Sequence, residues 1–364
     1  MTSERPNDRP LVRIAFDLPD ENAHDVTGYC AAEMAISAAN AQPDFPYTVE
    51  LTPIVDRRDV ETARRVAHAF VSDPLAVGVL GPLNSAMAVA GQDIYNAAGM
   101  VQLTSEASTP ALTSRGFKNF FRLVANDEHQ GRALAQVAVR YLHGQRIAVL
   151  HDNSAWGKPI AEIFSAEAEA LGVRPVLVQG FGERELSLDF DDMVRAAAGI
   201  QPDLVYFAIY WNKAHIIAHK LRYAGVKAVF LGSDALKPFA FLEVPSLDHV
   251  KPYHSLAGVD MRIKPSARSF FIQFAARYPM LLVAPQYAAE AYDCACLLLE
   301  ALRRAGKPDR GAVLEALQGL RTFEGAIGHI AFDRNGDVAD PEIGLYQCSD
   351  GLRKYVGAVR DLVK

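Results

Sequence analysis

Several apolar runs in this chain end abruptly in loops rich in hydroxyls, amides and aromatics. The run Ala76 to Leu80 stops at Gly81-Pro82-Leu83-Asn84-Ser85. A short apolar run closed by Gly-Pro reads as a buried strand, and Asn-Ser then opens a helix. Asn84 or Ser85 can cap that helix. The same geometry leaves free N–H groups that can cradle a carboxylate. The run Met100 to Leu103 ends in Thr104-Ser105-Glu106-Ala107-Ser108-Thr109-Pro110, with four hydroxyls and one carboxylate in six residues. Turn chemistry accounts for part of that cluster. Further along, strand-like runs end in His151-Asp152-Asn153-Ser154-Ala155-Trp156-Gly157, in Tyr210-Trp211-Asn212 and in Gly232-Ser233-Asp234. Aromatics at strand ends supply apolar walls with polar tips. Asp234 can accept from an ammonium, or it can cap a helix near Leu236 and Lys237. Donors in the first set of loops, with aromatics and an acid in the second, are chemistry for holding a zwitterion.

Catalytic chemistry is harder to find. No nucleophile stands beside a base. There is no GxGxxG after the first strand, no GxxxxGK[ST], no GxSxG and no HExxH. His215 and His219 are four apart on one helix face, but no third ligand is placed with them. Asp189, Asp191 and Asp192 sit at a helix start, where carboxylates favour the macrodipole. Phe332-Asp333-Arg334-Asn335-Gly336-Asp337 reads as a hairpin turn, because Asn-Gly tolerates positive φ. Its glycine is out of register for a calcium loop. The chain is therefore expected to be no enzyme and to need no cofactor or metal.

The elements that position these loops alternate strand and helix. Strands are expected at Val12 to Phe16, Tyr47 to Val55 and Ala76 to Leu80, with helices at Val26 to Ala39 and Asp59 to Phe70. The rhythm restarts at Arg146. Strands follow at Ile147 to Leu150, Val176 to Val178, Leu204 to Ala208 and Val229 to Leu231. Between them come helices at Lys158 to Ala170, Phe190 to Ala198 and Lys213 to Ala224. This is the βαβ rhythm of doubly wound parallel sheets, repeated twice. The last third, with helices at Ser266 to Arg277 and Ala288 to Arg304, is expected to build no further sheet.

Bulk properties agree with two soluble domains. The chain has 364 residues, 50% apolar and 22% charged, with net charge −6. No basic field exists for nucleic acid. Cys30, Cys294, Cys296 and Cys348 have no metal-ligand spacing. No apolar run of 18 residues occurs, so nothing is expected to span a membrane. Met1 to Pro10 lacks an apolar core, so the start does not read as a secretory leader.

Taken together, these segments resemble the type I periplasmic solute-binding proteins, in particular the leucine/isoleucine/valine-binding branch. The resemblance covers nearly the whole chain. It rests on Gly81 to Ser85, Ser108 to Thr113, Ile147 to Asp152, Gln201 to Tyr206, Tyr287 to Asp293 and the Phe332 to Asp337 turn. It implies an α/β fold of two doubly wound parallel-sheet lobes on a three-segment hinge. Lobe one is placed at 9–125 plus 254–330, and lobe two at 126–253 plus 331–364. It also implies ligand-binding roles. Ser85 and Ser108 would hold the ligand carboxylate and partly its ammonium, beside Asn84 and Ala107. Asp234 would take the ammonium in place of a longer glutamate. Tyr210 and Trp156 would close over the ligand. Glu106 stands where a small residue is usual, and Asp17 to His24 is short and polar where branched-chain binders carry an apolar wall.

The function expected is capture of a small solute, an α-amino acid, for the permease of an ABC transporter. The protein would be periplasmic, monomeric and closed over its ligand by a hinge. A cytoplasmic sensor of the same fold, acting on a partner protein, is the alternative.

Overall fold

The computed structural model describes residues 9–20, 23–181, 190–236, 251–283, 286–349 and 351–364. The chain divides into two compact units. The first is residues 1–125 with 258–341, and the second is 126–257 with 342–364.

The sheet of the first unit contains β1 (Leu11–Leu18), β2 (Thr48–Val55), β3 (Ala76–Leu80), β4 (Val101–Thr104) and β5 (Phe120–Arg122). The strand order is β2-β1-β3-β4-β5, and every pairing is parallel. Alternation along β1 decides the layers. Val12, Ile14 and Phe16 pack to one side, with α1 (Ala23–Asn40), α10 (Ala288–Ala305) and α11 (Arg310–Gln318). Ala15 packs to the other, with α2 (Val60–Ser72) and α3 (Ser85–Ala97). The α2 helix shows why the sequence folds this way. Asp59 caps it by accepting from the Thr62 N–H at 2.8 Å. Its buried residues Ala63, Val66, Ala67 and Phe70 then repeat at helical spacing. Two short helices, α4 (Ala111–Ser114) and α9 (Arg268–Arg277), and a hairpin of β11 (Phe323–Gly325) and β12 (Gly328–Ile330), complete the unit.

The second unit is built on β6 (Ile147–Asp152), β7 (Leu177–Phe181), β8 (Leu204–Ala208), β9 (Val229–Gly232), β10 (Tyr253–Leu256), β13 (Gly344–Ser349) and β14 (Leu352–Ala358). Their order is β14-β13-β10-β9-β8-β6-β7. The β13 and β14 pairings are antiparallel, and the rest are parallel. On one face, α7 (Asp191–Ile200) and α8 (Trp211–Tyr223) cover Leu150, Phe207 and Phe230. On the other, α6 (Gly157–Ala170) lays Phe164 on Tyr206 of β8, with ring centroids 3.9 Å apart. The α5 helix (Asp127–Gln136) packs on α6, and α12 (Val359–Leu362) ends the chain's last element. Strand β7 lies at the sheet edge with Val178 50% exposed.

Three expectations change. The lobe boundaries expected at 254 and 331 fall at 258 and 342. Residues 253–256 form β10, which pairs with β9 and β13 inside the second sheet. The turn after 331 stays with the first unit, because Arg122 donates its N–H to the Gly336 carbonyl at 2.9 Å. The last third also does build sheet: it adds β10, β13 and β14 to the second unit and the small hairpin to the first. Finally, Phe332 to Asp337 is a turn closed by one antiparallel bridge, Phe332 with Val338, and not a hairpin ladder. Only Gly336 takes a positive φ there, and a Cβ on it would meet the Phe120 carbonyl oxygen at 2.0 Å. His215 and His219 lie edge to face at 4.5 Å, and among the described residues no three histidine, cysteine, aspartate or glutamate side chains are grouped to hold a metal with them. Asp191 pairs with Lys220 at 2.7 Å and Asp192 pairs with Arg195, while Asp189 lies outside the described residues.

Arg122 is fully buried at the end of β5. Its Nε donates to Asp337 Oδ1 at 2.8 Å, and Nη2 reaches the same oxygen. Removing one member of a buried ion pair strands the other. Asp337→Asn should therefore cost about 3 kcal/mol or more in urea unfolding of the whole chain. A loss under about 1 kcal/mol would show that the other partners of Arg122 suffice.

Candidate functional site

In open α/β sheets, the loops after the strand carboxyl ends form the binding edge. On the first unit these are the loops after β3 and β4. Asn84 holds the capping position of α3, with φ −91° and ψ 136°, but its side chain makes no capping bond. Its Oδ1 is buried without a protein partner. Ser85 Oγ accepts from the N–H groups of Ser108 and Thr109, both at 3.2 Å. A hydroxyl has two acceptor sites and one proton. Both acceptor sites of Ser85 are engaged, so what it offers a ligand is its proton. Ser108 is itself buried, at 7% exposure.

Deeper groups fix this loop. Thr104 Oγ1 donates to the Pro82 carbonyl at 3.1 Å and accepts from the N–H groups of Glu106 and Ala107. Arg122 Nη1 donates to the carbonyls of Ala107 and Thr109 at 3.0 and 2.9 Å. Ala107 is thus held by both of its backbone groups, and its side chain packs with Leu112 and Phe120. Glu106 is half-buried. Behind it lies Glu290, wholly buried, whose Oε1 accepts from the Val259 N–H at 2.6 Å. Burial pushes the Glu290 carboxyl up to about 8 against that hydrogen bond, and the charges of Asp293 and Glu106 push the same way.

On the second unit the edge is aromatic and acidic. Asp152, at the end of β6, is 4% exposed and organises the next two loops. Its Oδ1 accepts from the Ser154 N–H at 3.2 Å and from the Ser154 hydroxyl. Ser154 Oγ accepts in turn from the N–H groups of Trp156 and Gly157 at 3.3 and 2.8 Å. Gly157 leaves no space for a side chain: a Cβ would lie 2.1 Å from Asp152 Oδ1. Trp156 is buried, and its Nε1 donates to Asp127 Oδ1 at 3.1 Å. Tyr210, 37% exposed, sets its ring 5.0 Å from Trp156 at an interplanar angle of 43°. Its N–H points to Asp152 Oδ2 at 3.4 Å.

Asp234 opens a 3-10 turn, Asp234–Leu236. The capping bond there comes from Ser233, whose Oγ accepts from the Ala235 N–H at 3.2 Å. Lys237, invoked for the capping alternative, lies outside the described residues. The Asp234 N–H donates to Gln130 Oε1 at 3.3 Å, and Ser255 Oγ donates to the same oxygen at 2.8 Å. Tyr206 lies fully buried nearby. Burial pushes its hydroxyl well up, and the charges of Asp127 and Asp234 add to the shift. Two acids therefore bear on this edge.

The structure thus groups Asn84, Ser85, Glu106, Ala107 and Ser108 on the first unit, and Trp156, Tyr210 and Asp234 on the second. Sequence reasoning missed Thr104 as a loop anchor, and also Arg122, Asp127, Gln130 and Asp152. Asp127 carried a signal: Asn126-Asp127-Glu128 is a helix start, and Asn126 does cap α5 through the His129 N–H at 3.0 Å. Nothing marked Gln130 or Arg122 except distance along the chain.

This arrangement is that of a ligand binder, and comparison with known proteins agrees. The periplasmic binding protein family matches residues 28–352, and the chain belongs to that family. It is a solute-binding protein and not an enzyme. The Leu/Ile/Val-binding protein homolog 3 of Brucella melitensis is 26% identical over 292 residues, 80% of this chain and 77% of that one. A leucine-, isoleucine-, valine-, threonine-, and alanine-binding protein of Pseudomonas aeruginosa is 26% identical over 294 residues, 80% of this chain and 76% of the other. A leucine binding protein of Thermotoga maritima superposes with a TM-score of 0.84 at 23% identity, covering 95% of this chain and 98% of that one. A solute-binding protein from R. palustris in complex with benzoate reaches 0.82 at 15% identity, with 96% of each chain covered. The two-lobed α/β fold of the leucine and isoleucine binders is therefore the fold of this chain.

The two units should respond oppositely to pH. Burial holds Glu290 and Asp17 of the first unit up to about 8, well above their unfolded values. Such acids hold their protons more tightly folded than unfolded. Their contribution is whole below about pH 4 and is lost as pH rises to 8. In the second unit, burial pulls His254 down to about 3, with the Arg353 charge adding to it. The unfolded chain protonates that imidazole below about 6.5, so stability is lost as pH falls from there. Urea unfolding in chelator at pH 5 and pH 8 should show Glu290→Gln raising stability at pH 8 and changing it little at pH 5. A mutant less stable at pH 8 would mean that Glu290 is held ionised.

Proposed function

We propose that the chain captures an α-amino acid in the periplasm, as a monomer, and delivers it to the permease of an ABC transporter. The observation that carries this reading is a split in polarity. The first unit's edge offers protons: the Ser85 hydroxyl, with both acceptor sites engaged, and Ser108 beside it. The second unit's edge offers negative charge, through Asp234 and Asp127, next to two aromatic rings. A carboxylate suits the first and an ammonium the second. The binding functions named for the Brucella and Pseudomonas relatives support an amino acid.

In this reading Ser85 and Ser108 hold the carboxylate, with Asn84 beside them, and Asp234 holds the ammonium. Trp156 and Tyr210 form apolar walls. Ala107 keeps the loop in place, and Glu106 faces the ligand from the loop rim. Of the segment Asp17 to His24, Asp17 lies buried at the end of β1, and Glu21 and Asn22 lie outside the described residues.

Two measurements test this. A thermal-shift screen of amino acids should single out one chemical class, because ligand at a hundred times its Kd stabilises by about 2.7 kcal/mol. No response to any amino acid would sink the reading. A charge-assisted bond is worth roughly 1.5–3 kcal/mol. Asp234→Asn should therefore weaken binding of that amino acid by roughly ten- to a hundredfold in calorimetry. Affinity for the same acid without its amino group should fall far less. Equal small losses for both ligands would refute the role of Asp234.

A further inference from the structure

Beneath the loop that leads to Ser85, one face of the first sheet carries buried polar groups with no protein partner. Strands β1 and β2 run in register, Ala15 with Thr52 and Asp17 with Ile54. Ala15 packs with Ala67, Phe70, Val79 and Tyr95, and Ile54 packs against the same cluster. Side chains alternate along a strand. Asp17, two past Ala15, therefore shares that face, as do Thr52 and Asp56 on either side of Ile54. Asp17 is 0% exposed and neither of its carboxylate oxygens has a partner. Asp56 is also 0% exposed; its Oδ1 accepts from the Arg58 N–H at 2.7 Å, and its Oδ2 has none. Thr52 Oγ1 has none. Among the described residues no arginine or lysine pairs with either acid, and the Arg58 guanidinium pairs with Asp20.

A fourth group comes from α3. Tyr95 is 0% exposed and its hydroxyl has no partner. Its ring crosses Gly91, one turn earlier, with Cε2 2.9 Å from where a Gly91 Cβ would stand. A helical side chain leans toward the helix start. Helix α3 starts at the carboxyl end of β3, so the hydroxyl is carried toward Asp17 and Asp56. Burial raises it, and the charges of those two acids raise it further. The loop above is close: a Cβ on Gly81 would lie 3.0 Å from the Asp17 carbonyl oxygen.

We propose that this buried group is a cation site, in which Asp17 and Asp56 hold a calcium ion with the hydroxyl of Tyr95 as a neutral ligand. The donor set is all oxygen, which selects a hard cation. The Arg58 charge acts on Asp56 but no positive charge acts on Asp17, so two ionised acids here leave a buried negative charge uncompensated. A divalent ion neutralises both. Calcium accepts irregular oxygen shells, whereas magnesium demands a near-ideal octahedron and keeps its waters. An occupied site would tie the ends of β1 and β2 to α3, directly under the loop that carries Ser85. The assignment does not depend on which solute the protein binds.

The full chain, stripped with chelator and checked for metal by elemental analysis, is unfolded thermally in rising CaCl2. KCl at matched ionic strength and MgCl2 are run beside it. The Tm should rise by about 4 °C or more at saturation. It should rise less with MgCl2 and not at all with KCl. Asp17→Asn should abolish the response. Tyr95→Phe, which removes one oxygen from a packed ring, should keep the fold and raise the CaCl2 needed by roughly tenfold. No CaCl2-dependent rise in the stripped protein, or an equal rise in Asp17→Asn, overturns the site. An equal response to MgCl2 overturns the choice of calcium. A flat response with Asp17→Asn more stable at pH 8 would show instead that Asp17 is a buried neutral acid.

Discussion

Arg122 carries a full charge with no exposed surface, and all five of its N–H donors are used. Two go to Asp337, two to the carbonyls of Ala107 and Thr109, and one to the Thr113 hydroxyl at 3.2 Å. Thr113 in turn donates to Asp337 Oδ2 at 3.0 Å. A guanidinium is tolerated in such a place only when every donor has an acceptor. The network reaches the ligand edge in two steps. The carbonyls of Ala107 and Thr109 set the loop, and the loop's N–H groups occupy the acceptor sites of Ser85. The direction of a hydroxyl proton at the edge therefore depends on a charge buried behind it. Because Asp337 lies 215 residues from Arg122 in the chain, the loop takes this shape only after the last third has returned to the first unit.

The second unit reaches the same end with neutral groups and two acids. Asp152 ends its strand where two loops begin, and it accepts a hydrogen bond from each. Trp156 is fixed at both ends: its N–H by Ser154 and its indole by Asp127. An aromatic wall anchored in this way loses little entropy on binding, and that is how a rigid recognition surface gains affinity. Tyr210 is more exposed and rests on the anchored ring.

Much of the fold could be read from the sequence, because parallel strands buried on both faces are short, uniform apolar runs. The strands that escaped are those that break the pattern. Strand β5 is only Phe-Phe-Arg. Strand β10 is Tyr-His-Ser-Leu, and its polar residues are buried by partners far away in sequence. The candidate site was proposed from loops at strand ends, where residue type and position together point to a binding edge. The fixing bonds were not. Gln130 reaches Asp234 across 104 residues, and Asp127 reaches Trp156 across 29. Capping was misjudged for the same reason. Asn84 has the cap's backbone geometry without its bond, and at the Asp234 turn a hydroxyl the sequence did not single out, that of Ser233, accepts from the Ala235 N–H.

The two sheets finish their open sides differently. Strand β2 ends the first sheet with Pro53 in its middle and Glu50 tied to Arg13 at 2.9 Å. Proline removes a donor and charge repels a neighbouring strand, so that side discourages pairing. Strand β7 ends the second sheet with Val178 half in solvent and Val176 just before it 42% exposed. Arg174 and Pro175 stand just before Val176, but within Leu177–Phe181 neither device occurs. That margin therefore presents an uncharged, proline-free strand where the first sheet presents neither.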